Sequence, residues 1–127
     1  MESTNVNADQ MSICSYNPTG WNTQKANMIK EFLLSKNIKI CAIQEHFILP
    51  QNLHKIQEHF KNFKIFSLPA VKSNTQISRG RPSGGLAFIY SNTLSKCIER
   101  VSCPNSSRVH ALKLNVHNVS YVLINSY

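Results

Sequence analysis

The sequence predicts an α/β fold. An apolar strand, an amphipathic helix and a second apolar strand follow one another between residues 11 and 44, which is the pattern of a βαβ unit. Short strand-like segments occupy much of the remaining chain and end in two alternating runs that resemble a hairpin. With 127 residues, 42% of them hydrophobic, the chain has the size of one domain and enough apolar side chains for a core.

The βαβ unit begins with residues 11–17 (MSICSYN), a predicted strand that stops before Pro18 because proline cannot continue a β-ladder. The turn PTGWN follows, and Asn22 or Thr23 is placed to cap the helix predicted over residues 23–36. The apolar residues of this helix recur at helical spacing, at Met28, Ile29, Phe32 and Leu33.

Residues 38–44 (IKICAIQ) form the second strand of the unit and are almost continuously apolar. This pattern is typical of a strand covered on both faces, as in a parallel sheet. A βαβ crossover is nearly always right-handed, and its two strands run parallel. Their carboxyl ends then lie at one edge of the sheet, so we expect Asn17 and Glu45 to emerge close together.

Downstream, Pro50 opens a second predicted helix, with apolar residues three and four apart. These residues are Leu53, Ile56 and Phe60. Further strands are predicted at residues 63–71, 86–90, 108–116 and 119–127, the last two as a hairpin that turns at His117 and Asn118. Residues 1–10 are expected to be a flexible tail and residues 11–127 the folded domain.

The chain is strongly basic, with 14 Lys and Arg against 6 Asp and Glu and a formal net charge of +8. This balance favours a polyanionic partner such as nucleic acid, although charge can also serve solubility alone. The polar loop from residue 72 to 85 carries Lys72, Arg79 and Arg81 among serines and glycines, where backbone amides could also approach phosphates. The alternative is a solvated connector.

The four cysteines form no CxxC pair, so neither a zinc site nor a disulfide framework is indicated, and a reducing compartment fits best. No stretch approaches the roughly 18 apolar residues of a membrane span, and the polar start has no secretion signal. We therefore expect an intracellular protein, inside or outside the nucleus, that is neither secreted nor bound to a membrane.

The four letters QEHF occur twice, at residues 44–47 and 57–60. The second copy lies within the second predicted helix, where Phe60 shares the apolar stripe and Glu58 and His59 point away from it. It is therefore interpreted as a solvated helix face, and a metal role for His54 with Glu58 is the minor alternative.

Glu45, in the first copy, follows a buried strand at the edge where ligand sites of open α/β sheets collect. A carboxylate held there by rigid backbone can bind a hard cation such as Mg²⁺, which prefers oxygen ligands. The alternative is a carboxylate that only caps the next turn. His46 is interpreted as a turn residue, with a substrate contact as the alternative.

Four segments in order, SICSYNPTGWN, CAIQEHFILP, GRPSGGLAFIY and VLINSY, carry a resemblance over residues 12–127. The chain resembles the endonuclease/exonuclease/phosphatase superfamily, which has the DNase-I-like fold. The sequences of these segments are most similar to those of the endonuclease domains of non-LTR retrotransposons, which are usually fused to a reverse transcriptase. The resemblance implies the N-terminal half of a four-layer α/β/β/α sandwich, a hydrolase that nicks DNA, and Mg²⁺ or Mn²⁺ as cofactor, with no small-molecule cofactor.

The resemblance also implies roles for particular residues. Glu45 matches the glutamate that ligates the metal, and Asn17 matches an asparagine that orders the hydrogen bonds around metal and phosphate. Gln44 is a supporting residue. Tyr127 and Asn125 match the Asn-x-Tyr segment, whose tyrosine lies near the scissile phosphate in relatives. The alternatives are that Asn17 caps a turn and that Tyr127 is an ordinary strand aromatic.

The chain departs from the family in lacking the Gly-Asp-Phe-Asn and Ser-Asp-His segments that handle the attacking water and the phosphate. His110 and His117 stand in the wrong context to replace the family histidine. We therefore expect the isolated chain to be largely inactive. We also expect it to supply about one layer of the sandwich, leaving an exposed apolar sheet face and a marginally stable, dimeric or aggregating chain.

Two alternatives to a DNA endonuclease stay open at this point. A phosphatase or lipid phosphodiesterase would share the fold and act on another phosphoester. A non-enzymatic nucleic-acid-binding remnant would bind DNA in a salt-sensitive way without cleaving it.

Overall fold

The computed structural model of the chain describes residues 11–71 and 82–127. The strands are β1 (Ser12–Tyr16), β2 (Ile38–Gln44), β3 (Phe63–Leu68), β4 (Leu86–Ser91), β5 (Ile98–Ser102), β6 (Val109–Val116) and β7 (Val119–Ser126). The helices are α1 (Thr23–Ser35) and two 3₁₀ helices (Pro50–His59 and Asn92–Cys97). The predicted tail at residues 1–10 and the basic side chains of Lys72, Arg79 and Arg81 lie outside the described residues.

The first sheet has the strand order β1-β2-β4-β3. β1 and β2 are parallel and are joined by α1, as predicted, while β4 runs antiparallel to both β2 and β3. Asn22 caps α1, because its Oδ1 accepts the backbone N–H of Lys25 at 2.7 Å. The parallel pair therefore ends at one edge of the sheet, where Asn17 and Glu45 follow β1 and β2.

The second sheet has the order β5-β6-β7, and all of its strands are antiparallel. β6 and β7 form the predicted hairpin, and His117 and Asn118 both adopt positive φ (51° and 64°), as a tight two-residue turn requires. Nothing in the sequence pattern indicated β5, a half-exposed strand that includes Glu99 and Arg100.

The two sheets pack face to face, so the chain supplies more than the single layer expected from the sequence. One core cluster fills the space between the sheets, with Ile40 and Phe88 from the first sheet against Leu112 and Leu114 from the second. Another cluster lies between the first sheet and the helices, with Leu33 and others. The expectation of an uncovered inner sheet face was wrong, because the β5–β7 segment folds back over it.

Two helices differ from the sequence predictions. Residues 50–59 form a 3₁₀ helix, although Ile56 and Phe60 are fully buried as predicted. On α1 the buried residues are Ala26, Ile29 and Leu33, while Met28 and Phe32 are about half exposed. The apolar stripe predicted from the sequence is thus wider than the face that the sheet covers. Within the described residues, no helix has both the length and the apolar character needed to cross a membrane.

Candidate active site

Glu45 and Asn17 meet at the carboxyl edge of the β1–β2 pair. Asn17 Nδ2 donates to Glu45 Oε2 at 2.7 Å. The Asn17 side chain is itself oriented, because its Oδ1 accepts the backbone N–H of Thr19 at 2.9 Å. The parallel βαβ unit therefore brings together two polar groups that lie 28 positions apart in the chain.

The backbone of Glu45 is fixed from both sides. Its N–H donates to the carbonyl of Gly85 at 2.7 Å, and its carbonyl accepts the N–H of Gly20 at 2.9 Å. Glu45 has a φ of 57°, in the left-handed region that a glutamate rarely occupies. Such conformations persist where the surrounding structure imposes them, and they concentrate at functional sites. The carboxylate is thus held in place rather than free to turn with a loop.

Gln44 and Asn125 join the two sheets directly behind this edge. Gln44 Nε2 donates to Ser15 Oγ on β1 and to Asn125 Oδ1 on β7, both at 2.9 Å. Asn125 Nδ2 lies 3.0 Å from the Ile43 carbonyl and 3.1 Å from the Ala87 carbonyl. Asn125 is 1% exposed, so these hydrogen bonds are shielded from water. The side chain of Asn125 connects β7 to both β2 and β4.

His110 completes this buried network from β6. Its ring is fully buried and packs between Phe66 and Phe88, with centroid distances of 4.7 and 4.6 Å. Its Nε2 lies 3.0 Å from Asn125 Nδ2 and accepts a hydrogen from it, while Nδ1 has no partner among the described residues. Burial lowers the pKa of His110 to about 4, so the imidazole is neutral.

Tyr127 lies at the end of β7, beside the start of β6. Its backbone N–H donates to the Arg108 carbonyl at 3.2 Å, and the guanidinium of Arg108 lies 5.1 Å from the centre of its ring. The hydroxyl end of Tyr127 packs against the backbone of Gly84, where a Cβ would overlap it and where φ is +81°. Only glycine at position 84 leaves room for the tyrosine.

These side chains line one open groove of about 900 Å³ between the edges of the two sheets. Its lining includes Asn17, Gln44, Glu45, Gly84, Arg108, Asn125 and Tyr127. Among the described lining residues, Glu45 and Arg108 are the two with a charged side chain. The groove therefore presents one carboxylate and one guanidinium to whatever binds there.

His46, next to Glu45, is a buried structural residue. Its Nδ1 accepts the N–H of Ile48 at 2.9 Å, which leaves the hydrogen on Nε2 to donate to the carbonyls of Leu68 (3.1 Å) and Leu86 (3.3 Å). It is 1% exposed, and burial lowers its pKa to about 4. A Cβ on Gly85 would overlap the His46 ring. His46 thus fixes the turn from inside, and its burial argues against the alternative of a substrate contact.

The two QEHF copies differ as the sequence indicated. In the second copy Phe60 is buried, while Glu58 is exposed on the 3₁₀ helix. Glu58 therefore shares the sequence context of Glu45 but not its surroundings.

The donor set at Glu45 fits a hard divalent cation. No group of three or more His, Cys, Asp or Glu residues gathers anywhere in the described ranges. Mg²⁺, however, is often held by one or two carboxylates together with water and substrate phosphate. Glu45 Oε1 accepts no hydrogen bond from the described residues, so it has a lone pair directed at no protein donor in that part of the chain.

Of the site residues proposed from the sequence, Asn17, Gln44, Glu45, Asn125 and Tyr127 all line this groove. Sequence reasoning did not identify Arg108 or the role of His110. Arg108 is the first residue of a predicted strand, and nothing in its neighbours marks it. The contacts of both residues depend on how β6 and β7 pair with each other and pack on the first sheet.

No protein-family model matches the chain, and no curated protein matches it. Solved structures do. An AP endonuclease from Leishmania major matches with a TM-score of 0.66 and 12% identity, over 100% of this chain and 43% of that one. TDP2 from Caenorhabditis elegans matches at 0.56 and 16%, over 100% and 38%, and a humanized D. rerio TDP2 at 0.52 and 15%, over 90% and 45%. The chain spans less than half the length of each.

These similarities define the class of fold. The chain has a mixed α/β fold with two sheets packed face to face, and it corresponds to part of a DNase-I-like sandwich. At identities of 12–16% the likeness concerns the fold alone.

Proposed function

We propose that this chain is part of a divalent-metal-dependent phosphodiesterase, of the retrotransposon type of endonuclease that nicks DNA. The observation that carries the proposal is the Glu45 carboxylate, oriented by Asn17 at the carboxyl edge of a rigid sheet. One of the solved structures with this fold is an AP endonuclease, which supports a nucleic-acid phosphodiester as substrate. The net charge of +8 supports the same partner.

In this proposal Glu45 holds Mg²⁺ or Mn²⁺, and Asn17 keeps the carboxylate in position. A divalent cation there would orient the phosphate and offset the negative charge that develops on it. Gln44 and Asn125 fix the floor of the groove, and Tyr127 lies at its wall as a phosphate neighbour. Lys72, Arg79 and Arg81 are proposed to contact the DNA backbone.

The isolated chain is expected to cleave DNA slowly or not at all. Apart from Glu45, no side-chain carboxylate or exposed imidazole lines the described part of the groove, so its side chains offer no separate base for a water molecule. Loss of even one transition-state donor can cost about 10²–10³ in rate. Metal binding therefore tests the site better than turnover.

The test is binding of Mn²⁺, followed by electron paramagnetic resonance, to the wild-type chain, Glu45→Gln and Glu58→Gln. Glu58 is a matched control because it lies in the second QEHF copy, on an exposed helix face. We expect wild type and Glu58→Gln to bind equally and Glu45→Gln to lose most of the binding. Equal binding by all three proteins would exclude Glu45 as the metal ligand.

A second arm measures nicking of supercoiled plasmid by the same proteins with Mg²⁺ or with EDTA. Any nicking by the wild type should require metal and should disappear in Glu45→Gln. Metal-independent nicking would contradict the proposal. If the chain hydrolysed a phosphomonoester or a lipid phosphodiester and not DNA, the proposed metal site would stand. The choice of DNA as the substrate would then be wrong.

A further inference from the structure

Arg108 lines the same groove as Glu45, at the junction of β6 and β7. Its side chain is exposed, and its guanidinium lies 5.1 Å from the ring centre of Tyr127. Among the described residues that line the groove, it is the cation and Glu45 is the anion. A groove that contains both a positive side chain and a carboxylate able to hold a metal is suited to a ligand that carries several negative oxygens.

We propose that Arg108 binds a phosphate group of the substrate in this groove, with the Tyr127 ring as the platform that positions its guanidinium. This inference rests on the proposed function, since it assigns the residue that would recognise the phosphate of the same substrate. It adds a cation to the residues proposed for the site, to which the sequence had assigned a metal ligand but not Arg108.

A comparison with Arg100 separates this role from a structural one. Arg100 donates from Nε to Tyr90 Oη at 3.1 Å and from a terminal nitrogen to the Ile65 carbonyl at 3.0 Å. Its guanidinium also lies over the rings of Phe66 and Tyr90, so it is used in holding the two sheets together. Arg108 makes a ring contact of the same kind, but its guanidinium donates no hydrogen bond to any described residue. Within the described part of the chain, its five N–H donors therefore have no protein acceptor and can serve a ligand.

The backbone of Arg108 is held firmly enough to place this side chain. Its N–H donates to Ser106 Oγ at 3.1 Å, and its carbonyl accepts the N–H of Tyr127 at 3.2 Å. The next residue pair, Val109 with Ser126, continues directly into the β6–β7 ladder. The ring and the guanidinium are therefore fixed to the same pair of strands.

Arginine has the right chemistry for this task. Its planar guanidinium presents paired donors that match two oxygens of a phosphate, and it stacks on aromatic faces while doing so. Lysine would keep the charge and lose both the paired donors and the stacking. Substitution by lysine therefore separates the effect of the positive charge from the effect of the paired donors and the stacking.

The experiment measures binding of a fluorescein-labelled DNA duplex by fluorescence anisotropy, in EDTA, over a series of salt concentrations. The variants are Arg108→Gln, Arg108→Lys and Lys30→Gln. Lys30 is an exposed residue of α1, outside the groove, and its substitution removes the same charge. Each phosphate neutralised contributes about 0.9 to the slope of log affinity against log salt.

We expect Arg108→Gln to lower the slope by about 0.9 and the affinity roughly tenfold. Lys30→Gln should leave the slope within error of wild type. Arg108→Lys should restore the slope but not the full affinity. Tyr127→Phe should bind as wild type and Tyr127→Leu more weakly, because the ring and not the hydroxyl supports the guanidinium.

Equal slopes for wild type, Arg108→Gln and Lys30→Gln would overturn this inference alone, provided that Mn²⁺ binding still depends on Glu45. An equal loss in Arg108→Gln and Lys30→Gln would also overturn it, because it would indicate a general effect of charge. Absence of DNA binding by the wild type at every salt concentration would overturn both this inference and the choice of DNA as substrate. The circular dichroism spectrum of Arg108→Lys serves as the folding control, and a spectrum like that of the wild type would show that the fold is retained.

Discussion

Two histidines, His46 and His110, illustrate at the residue scale how burial fixes the chemistry of this domain. Each imidazole is neutral and accepts a hydrogen bond through one ring nitrogen, from the Ile48 backbone and from the Asn125 amide respectively. The pKa of each is lowered to about 4 because burial penalises the charged ring. Both therefore support the site as packed, oriented groups and do not act as exposed acids or bases.

The lowered pKa of both histidines predicts a pH dependence of stability. In the unfolded chain they take up protons near the ordinary histidine pKa of 6.5, whereas in the folded chain they do so only near pH 4. The unfolded state therefore binds more protons between these values, and stability that is complete above about pH 6.5 falls as the pH drops towards 4. We expect a loss of roughly 1–2 kcal/mol per histidine between pH 7 and pH 5, measured by urea unfolding.

Two histidine substitutions test whether the buried rings cause this loss of stability at low pH. His110→Gln should remove part of the pH dependence, whatever it does to stability at pH 7. His54→Gln, at an exposed position on the first 3₁₀ helix, should leave the dependence unchanged. A wild-type stability that does not change between pH 7 and pH 5 would contradict the burial of neutral rings.

At the scale of elements, Asn125 is the joint between β7 and the first sheet. Its amide contacts Gln44, His110 and the carbonyls of Ile43 and Ala87. Removal of the side chain takes a hydrogen-bond partner from the buried His110 ring and from the two carbonyls, and each buried group left unpaired costs about 1–3 kcal/mol. The hairpin that carries Tyr127 would then lose its polar attachment to β2.

We therefore expect Asn125→Ala to destabilise the chain by about 2–4 kcal/mol in chemical denaturation. Asn115→Ala is the matched control, on an exposed position of the same hairpin, and it should change stability by less than about 0.5 kcal/mol. Similar small effects from both substitutions would mean that the buried amide network contributes little.

At the scale of the whole molecule, the two sheets end in strands with one free edge each. β1 pairs only with β2, and β7 pairs only with β6, among the described strands. The exposed apolar residues of these two strands include Ile13 on β1 (46% exposed) and, on β7, Val122 (60%) and Ile124 (69%). Exposed apolar edge strands are ready templates for pairing with another chain.

The isolated chain is therefore predicted to self-associate through these edge strands, and not through the inner sheet face that was expected from the sequence. Ile124→Lys should shift the chain towards monomer in size-exclusion chromatography with light scattering, because a charged side chain opposes edge pairing. Leu34→Lys, at an exposed apolar position of α1, is the control and should not change the association state. A wild-type monomer at all concentrations would contradict the prediction.

Local patterns in the sequence determined the βαβ unit, a helix cap at Asn22 or Thr23, and the final hairpin. Proline, periodicity and turn residues act on neighbours in the chain, so these features could be derived without the fold. The position of Glu45 beside Asn17 also followed, because a right-handed crossover places both strand ends at one edge. Resemblance to a family added Gln44, Asn125 and Tyr127 as candidates but gave none of their contacts.

Only the tertiary structure decided which groups meet across the two sheets. The Gln44–Asn125 hydrogen bond joins residues 81 positions apart, and the Arg108–Tyr127 pair exists because β6 and β7 share a register. The burial of His46 and His110, and the cover on the inner face of the first sheet, likewise depend on the packing of segments distant in the chain. Such contacts depend on how the strands and helices pack against one another, and the order of residues along the chain does not give the distances between them.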